Sequence, residues 1–227
     1  MPKSKRNKVV PLSKVKKKGV NDKKVKLVKR IHKYLKDYKY CYVFTYKNMT
    51  SMSMGALKNY FSESIFLIGK NKVMQFALGK NTDEEPKENS IKLEKYLKGN
   101  CGLFFSNENP EKIIDYFKEY ESPYYGNVGT ISNQTIILNR GFDERLNDFP
   151  PSMESQFRQL GLNVKLDGGK FYLLDEFVVC EKGKPLNPSQ SKMIKHLGIY
   201  MDQFKITIKA YLGNNGNFVE VDNVDDK

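Results

Sequence analysis

The hydrophobic positions along this chain change period several times, and each change marks an element. From Lys23 onward, Val28, Ile31, Leu35 and Tyr38 recur at helical spacing while Lys26, Lys29, Arg30 and Lys33 gather on another side. The spacing predicts a helix with one face for a core and one for a polyanion. Tyr40–Tyr46 then alternates Tyr40/Tyr42/Phe44/Tyr46 with Cys41/Val43/Thr45, and both sides are largely apolar, so a central strand covered on both faces is expected. A helix over Ser53–Phe61 and a strand over Ile65–Ile68 follow. Gly69-Lys70-Asn71-Lys72 predicts a tight turn into a helix with Val73, Phe76 and Ala77 inward. Thr82–Asn89 reads as a charged loop before a helix Ile91–Leu97 that Gly99 stops. Leu103–Phe105 is a buried strand, and Asn109-Pro110 opens a helix Glu111–Tyr120 striped by Ile113, Ile114 and Phe117.

Alternation of strand and helix gives an α/β domain over roughly 23–121. Pro123 marks a change: residues 124–183 show strands around Ile136–Leu138 and Phe171–Leu174, turns at Gly141 and Gly168-Gly169, and a short helix Ser152–Leu160 ended by Gly161. This is a small second α/β module. After Pro185, Asn187-Pro188 opens a helix with Met193, Leu197 and Met201 inward, weakened by Gly198. Phe204–Leu212 alternates as an edge or half-exposed strand, and the polar tail 213–227, with Asp222, Asp225 and Asp226, reads as disordered.

Charge changes the picture. Residues 1–33 hold fourteen Lys/Arg against one acid, Asp22, a local net of +13 that equals the net charge of the whole 227-residue chain. A neutral body carrying one concentrated cationic segment is the footprint of a polyanion binder. The basic residues are 34 Lys and five Arg, so the segment suits phosphate neutralisation better than base readout. A solubility tail or import signal is the competing reading. Cys41, Cys101 and Cys180 are odd in number, far apart and each inside an apolar run, which fits buried thiols of an intracellular protein. No apolar run suits a membrane span or a secretory signal, so no membrane partner is expected.

The search for chemistry is thin. His32 and His196 have no ligand-spaced partners, and neither a GxxxxGK[ST] loop nor a GxGxxG is present, so no enzyme activity, cofactor, metal or small-molecule substrate is expected. Four features remain as RNA-binding candidates. The arm and first helix supply Lys3, Lys5, Arg6, Lys8, Lys26, Lys29, Arg30 and Lys33. Gly69, Lys70, Asn71 and Lys72 put two cations and an amide at a helix N-terminus, where backbone N–H groups favour phosphate; an ordinary turn is the alternative. Lys47, Asn48, Thr50 and Ser51 offer polar groups in the turn after the first strand. Tyr34, Tyr38, Tyr40 and Tyr42 suit base stacking or, on their periodicity, core packing.

Several stretches carry a specific resemblance. They are Met1-Pro2-Lys3-Ser4-Lys5-Arg6-Asn7-Lys8, Gly69-Lys70-Asn71-Lys72-Val73-Met74 with Ala77-Leu78-Gly79, and Gly102-Leu103-Phe104-Phe105-Ser106-Asn107. Phe149-Pro150, Ser152-Met153-Glu154, Arg158-Gln159-Leu160-Gly161-Leu162 and Phe204-Lys205-Ile206-Thr207-Ile208-Lys209 complete the set. Across nearly its full length the chain resembles the mRNA turnover protein 4 family, nucleolar ribosome assembly factors paralogous to the large-subunit stalk-base ribosomal protein. The resemblance implies an rRNA-binding, sandwich-like α/β domain interrupted by a smaller inserted α/β domain, behind a basic N-terminal arm. The matching boundaries are an arm 1–22, a discontinuous domain 23–121 plus 185–212, an insertion 122–184 and a tail 213–227.

It also implies binding to the GTPase-associated region of large-subunit rRNA in nucleolar and nuclear pre-ribosomes, beside neighbouring ribosomal proteins, with transient cytoplasmic passage, until exchange for the stalk-base protein. Tyr124-Tyr125-Gly126-Asn127 departs from the family's usual small-residue and Arg-containing segment. The sequence lacks the long Ala-rich hinge and acidic terminal peptide of a stalk-base protein. That favours the assembly factor over the alternatives, a stalk-base ribosomal protein of the mature subunit or a component of mRNA decay.

Overall fold

The computed structural model describes residues 18–79 and 86–221, with side chains from residue 22. In chain order the elements are α1 (Lys18–Asp37), β1 (Tyr40–Lys47), α2 (Ser51–Tyr60), β2 (Ile65–Leu67), α3 (Asn71–Leu78), β3 (Cys101–Ser106) and α4 (Pro110–Glu119). There follow β4 (Ser122–Tyr124), β5 (Ile136–Leu138), β6 (Gly141–Phe142), α5 (Glu154–Gln159), β7 (Val164–Asp167), β8 (Lys170–Leu173), β9 (Phe177–Cys180), α6 (Pro188–His196), β10 (Asp202–Leu212) and β11 (Phe218–Glu220). Two compact units form: among the described residues, 18–45, 58–79, 86–117 and 207–221 make the first, and 46–57 with 118–206 the second.

In the first unit the strand order is β11-β10-β1-β3-β2, with β3 antiparallel to both β1 and β2. Side chains alternate across β1, and both sides are buried, as its pattern predicts. Cys41 and Val43 join Leu103 and Phe105 in a core with Ile31 and Leu35 of α1 and Met74, Ala77 and Leu78 of α3. Tyr42 packs on Phe104 at 5.6 Å between ring centroids, and Phe44 on Phe66 at 5.8 Å. Burying each such side chain contributes about 1.5–3 kcal/mol. Gly102 is fixed by this packing, since a Cβ there would stand 2.6 Å from Phe44 Cζ and 3.0 Å from the Leu67 carbonyl oxygen.

The second unit has its own core, in which Leu138, Phe157, Phe171, Leu173 and Ile194 are fully or almost fully buried. Its sheets are β5-β9 and β6-β8-β7. Gly168 and Gly169, at φ +57° and +82°, close the β7–β8 hairpin, a two-residue turn that needs positive φ at both central positions. Asn187 caps α6 through a reciprocal box: its side chain accepts from Gln190 N–H at 2.8 Å, and Gln190 accepts from Asn187 N–H at 2.9 Å. Asp143 accepts from Arg145 N–H at 3.0 Å and pairs with its guanidinium at 2.7 Å. Those Arg145 hydrogen bonds outweigh burial and hold the Asp143 carboxyl below its ordinary pKa.

The structure corrects several expectations. α1 begins at Lys18, inside the stretch assigned to an extended arm, because a helix nucleated by packing extends at one hydrogen bond per residue. α3 turns Met74, Ala77 and Leu78 inward, leaving Val73 half-buried and Phe76 58% exposed. Residues 90–96 form a 3-10 helix instead of an α-helix. α6 stops at His196, with Gly198 at φ +68° just beyond, so Met201 is buried from outside the helix. Gly141 lies in β6 instead of in a turn. β10 is not an edge: it is half-exposed on alternate residues yet flanked by β1 and β11, with its N-terminal residues on β4. The tail read as disordered contributes β11, paired Ala210 to Glu220 through Leu212 to Phe218; Asp222, Asp225 and Asp226 lie outside the described residues.

Candidate nucleic-acid interface

Amphipathic spacing in α1 sets the first part of the site. Ile31 and Leu35 are buried, so Lys26, Lys29, Arg30 and Lys33 are exposed on the remaining surface. No acid interrupts α1 between Lys23 and Lys36. His32 anchors the helix through a hydrogen bond of 2.9 Å between its Nε2 and the Ala77 carbonyl at the end of α3. That is a structural task, not a catalytic one.

The β2–α3 turn lies against the same helix. A Cβ on Gly69 would come within 2.6 Å of Leu27 Cδ2, so the glycine permits close approach of the turn to α1. Lys70 takes the N-cap position without a side-chain cap; the Val73 and Met74 N–H groups donate to its carbonyl at 2.8 and 3.0 Å, and the Asn71 and Lys72 N–H groups ahead of them are the helix's uncapped donors. Asn71 spends its amide on the Gly99 carbonyl at 2.8 Å. Lys70 and Lys72 are exposed, and Lys72 shares one surface depression with Lys29. The α1 face and the turn therefore converge, and these cations make no ion pair among the described residues. Lys3, Lys5, Arg6 and Lys8 lie outside those residues.

Lys47, Asn48, Thr50 and Ser51 belong to the second unit and are largely committed to its fold. Lys47 Nζ pairs with Asp202 at 3.2 Å, and Asn48, at φ +57°, donates to Asp202 at 2.6 Å and to the Gln203 carbonyl at 3.0 Å. Burial opposes ionisation of Asp202, but the hydrogen bonds from Gln203 N–H, Asn48 and Lys47 prevail and lower its pKa. Thr50 Oγ1 accepts from Ser53 N–H at 3.1 Å, capping α2. Only Ser51 is left exposed without such a task among the described residues. Of the tyrosines, Tyr34 and Tyr38 pack on Phe105 at 5.5 and 6.3 Å and Tyr42 is fully buried, which settles them as core residues and not a stacking platform.

All three cysteines are free and buried; burial, partly opposed by Lys87, pushes the Cys41 thiol up to about 12. Among the described residues no cluster of His, Cys, Asp or Glu is placed to hold a metal, and no helix is long and apolar enough to cross a membrane. Two residues beside the convergent cations were not among the RNA-binding candidates: Lys24, counted only within the basic segment, and Phe76, read as inward; the signal was a phenylalanine off the Met74/Ala77/Leu78 stripe.

Known proteins place this surface in context. The family described as Ribosomal protein L10 matches residues 20–122, which hold α1 and the β2–α3 turn, and the insertion domain of its 60S ribosomal members matches residues 127–199. Ribosome assembly factor mrt4 of Dictyostelium discoideum is 38% identical over 211 residues, covering 93% of each chain. This chain belongs to the mrt4 family of ribosome assembly factors. The mrt4 of Schizosaccharomyces pombe is 32% identical over 97% of this chain and 95% of its own. Large ribosomal subunit protein uL10 of Saccharomyces cerevisiae is more distant, 24% identical over 88% of this chain and 62% of its own. The α/β domain with an insertion thus agrees with the fold that the sequence implied.

Proposed function

We propose that this protein is a non-enzymatic assembly factor of the large ribosomal subunit that binds the GTPase-associated region of its rRNA in nucleolar and nuclear precursor particles and is later exchanged for the stalk-base protein. The observation that carries this reading is the convergence of the exposed cations of α1, which have no ion-pair partner among the described residues, with Lys70 and Lys72 at the start of α3, inside the L10 match. Point charges and free N–H groups on a rigid face complement phosphates of folded RNA. Lys3, Lys5, Arg6 and Lys8 extend that charge along the RNA, and the large-subunit particle with its neighbouring proteins is the partner. Lys47, Asn48, Thr50 and Ser51 keep a role in shaping their turn, with Ser51 the member free to contact RNA. The reading divides the chain into a discontinuous RNA-binding domain and an insertion; two compact units and two family matches support a two-part division, although the second unit runs to residue 206 and the insertion match to residue 199, past the 184 read from the sequence.

The mechanism is occupancy. Two proteins using one α/β face on one RNA surface exclude each other, and binding follows mass action. Adding purified stalk-base protein to a preformed complex of this protein with the GTPase-associated rRNA fragment tests it. One protein leaving as the other enters is expected; a stable ternary complex on one RNA copy overturns it.

A further inference from the structure

The depression that joins α1 to α3 has an apolar floor. Val25, Val28, Val73 and Phe76 line this open depression of about 530 Å³. Phe76 is 58% exposed and Val25 51%, so both helices present apolar side chains here that no described residue covers fully. The rim is cationic on every polar position, Lys24 and Lys29 from α1 and Lys72 from α3. An exposed aromatic ring beside aliphatic side chains takes a flat base by stacking, and lysines among the same lining residues can take the phosphates that flank it. The volume falls within the range of about 300–1,000 Å³ typical of small-molecule sites.

We propose that this groove is a nucleobase pocket that holds one unpaired base of the bound RNA against Phe76, with its flanking phosphates on Lys24, Lys29 and Lys72. This deepens the rRNA-binding reading and rests on it. Charge decides the occupant. The groove lies on the acid-free stretch of α1, continuous with Lys26, Arg30 and Lys33, a surface suited to a long polyanion and not to a short acidic helix. The chain's own residues 1–17, with seven Lys/Arg and no acid, are repelled by the same rim.

The chain has no tryptophan, so F76W places one indole at the pocket as a private reporter. Full-length F76W is titrated with an RNA hairpin carrying an unpaired loop, with the same hairpin made abasic across that loop, and with an acidic amphipathic peptide. Indole quenching by the intact hairpin alone is expected. F76A should weaken binding of the intact hairpin about 5- to 150-fold, the range of one base–aromatic stack, with F76L recovering little and F76W most of it. Equal quenching by intact and abasic RNA, or a response to the peptide alone, overturns the base pocket. Nitrocellulose retention of the RNA is measured in parallel: intact binding with a silent indole and an unaffected F76A sinks the pocket alone, whereas no RNA retention by the wild type sinks the rRNA reading itself. Phe76 projects from the surface, so an unchanged circular-dichroism spectrum and melting curve certify each variant.

Discussion

Neutralising the outward face of α1 gives the sharpest quantitative test of the interface. The combined variant K26Q/K29Q/R30Q/K33Q removes four exposed cations and leaves Ile31 and Leu35 in the core. Gln has nearly the helix propensity of Lys and Arg, so α1 keeps its shape. Each phosphate neutralised contributes about 0.9 to the slope of log affinity against log salt on duplex polyanions and about 0.7 on single strands, so four contacts amount to roughly 2.8–3.6. Over a fourfold rise in salt that slope is worth about 50- to 150-fold in affinity. Fluorescence anisotropy of a labelled rRNA fragment, titrated at several KCl concentrations, reads it directly. Wild type and variant should converge as salt rises. Parallel lines refute the reasoning, because an affinity loss with no change of slope removes something other than phosphate contacts, and no loss at all means this face meets no RNA.

Three further outcomes follow from the packing. Gly102→Ala should lower stability by about 1–3 kcal/mol in urea unfolding, because its methyl meets Phe44 and the Leu67 carbonyl; wild-type stability would show that β2 moves aside freely. Asn187→Ala should cost about 0.5–2 kcal/mol through loss of the α6 cap while Asn187→Ser recovers most of it, and equal losses would exclude capping as the cause. Asp143 has its folded pKa depressed by the Arg145 hydrogen bonds, so its contribution is present above the unfolded value of about 3.9 and fades as pH falls through the lower folded value. The stability gap between wild type and D143N, followed from pH 6 downward, should hold steady and then close below about pH 4; a gap that widens in acid contradicts the assignment.

Much of the fold was legible because local pattern and tertiary burial agree. The doubly apolar Tyr40–Tyr46 run is an interior strand with both faces covered, and Asn187-Pro188 starts a helix through the side-chain chemistry its residues imply. What stayed hidden depends on partners distant in sequence. β11 is three residues long and owes its existence to β10, although Asn215-Gly216 before it is a recognisable turn. β4 likewise exists only through β10. Periodicity alone gave Phe76 to the core, and only the position of α1 over α3 shows that Met74, Ala77 and Leu78 occupy that face instead. Of the candidate site, the cations of α1 and the Gly69–Lys72 turn could be read from charge and turn chemistry. The commitment of Lys47 and Asn48 could not, since Asp202 lies more than a hundred residues away; Thr50 is committed locally, to the Ser53 N–H three residues on.

The central claim is that this face holds one region of large-subunit rRNA before the ribosome is complete. Ultraviolet crosslinking of the protein in living cells, followed by sequencing of the attached RNA fragments, measures that directly. Fragments should concentrate in the GTPase-associated region of precursor large-subunit rRNA, with the crosslinked peptides drawn from α1 and the β2–α3 turn. Fragments scattered across messenger RNAs, or taken from that region only in translating ribosomes, would contradict it.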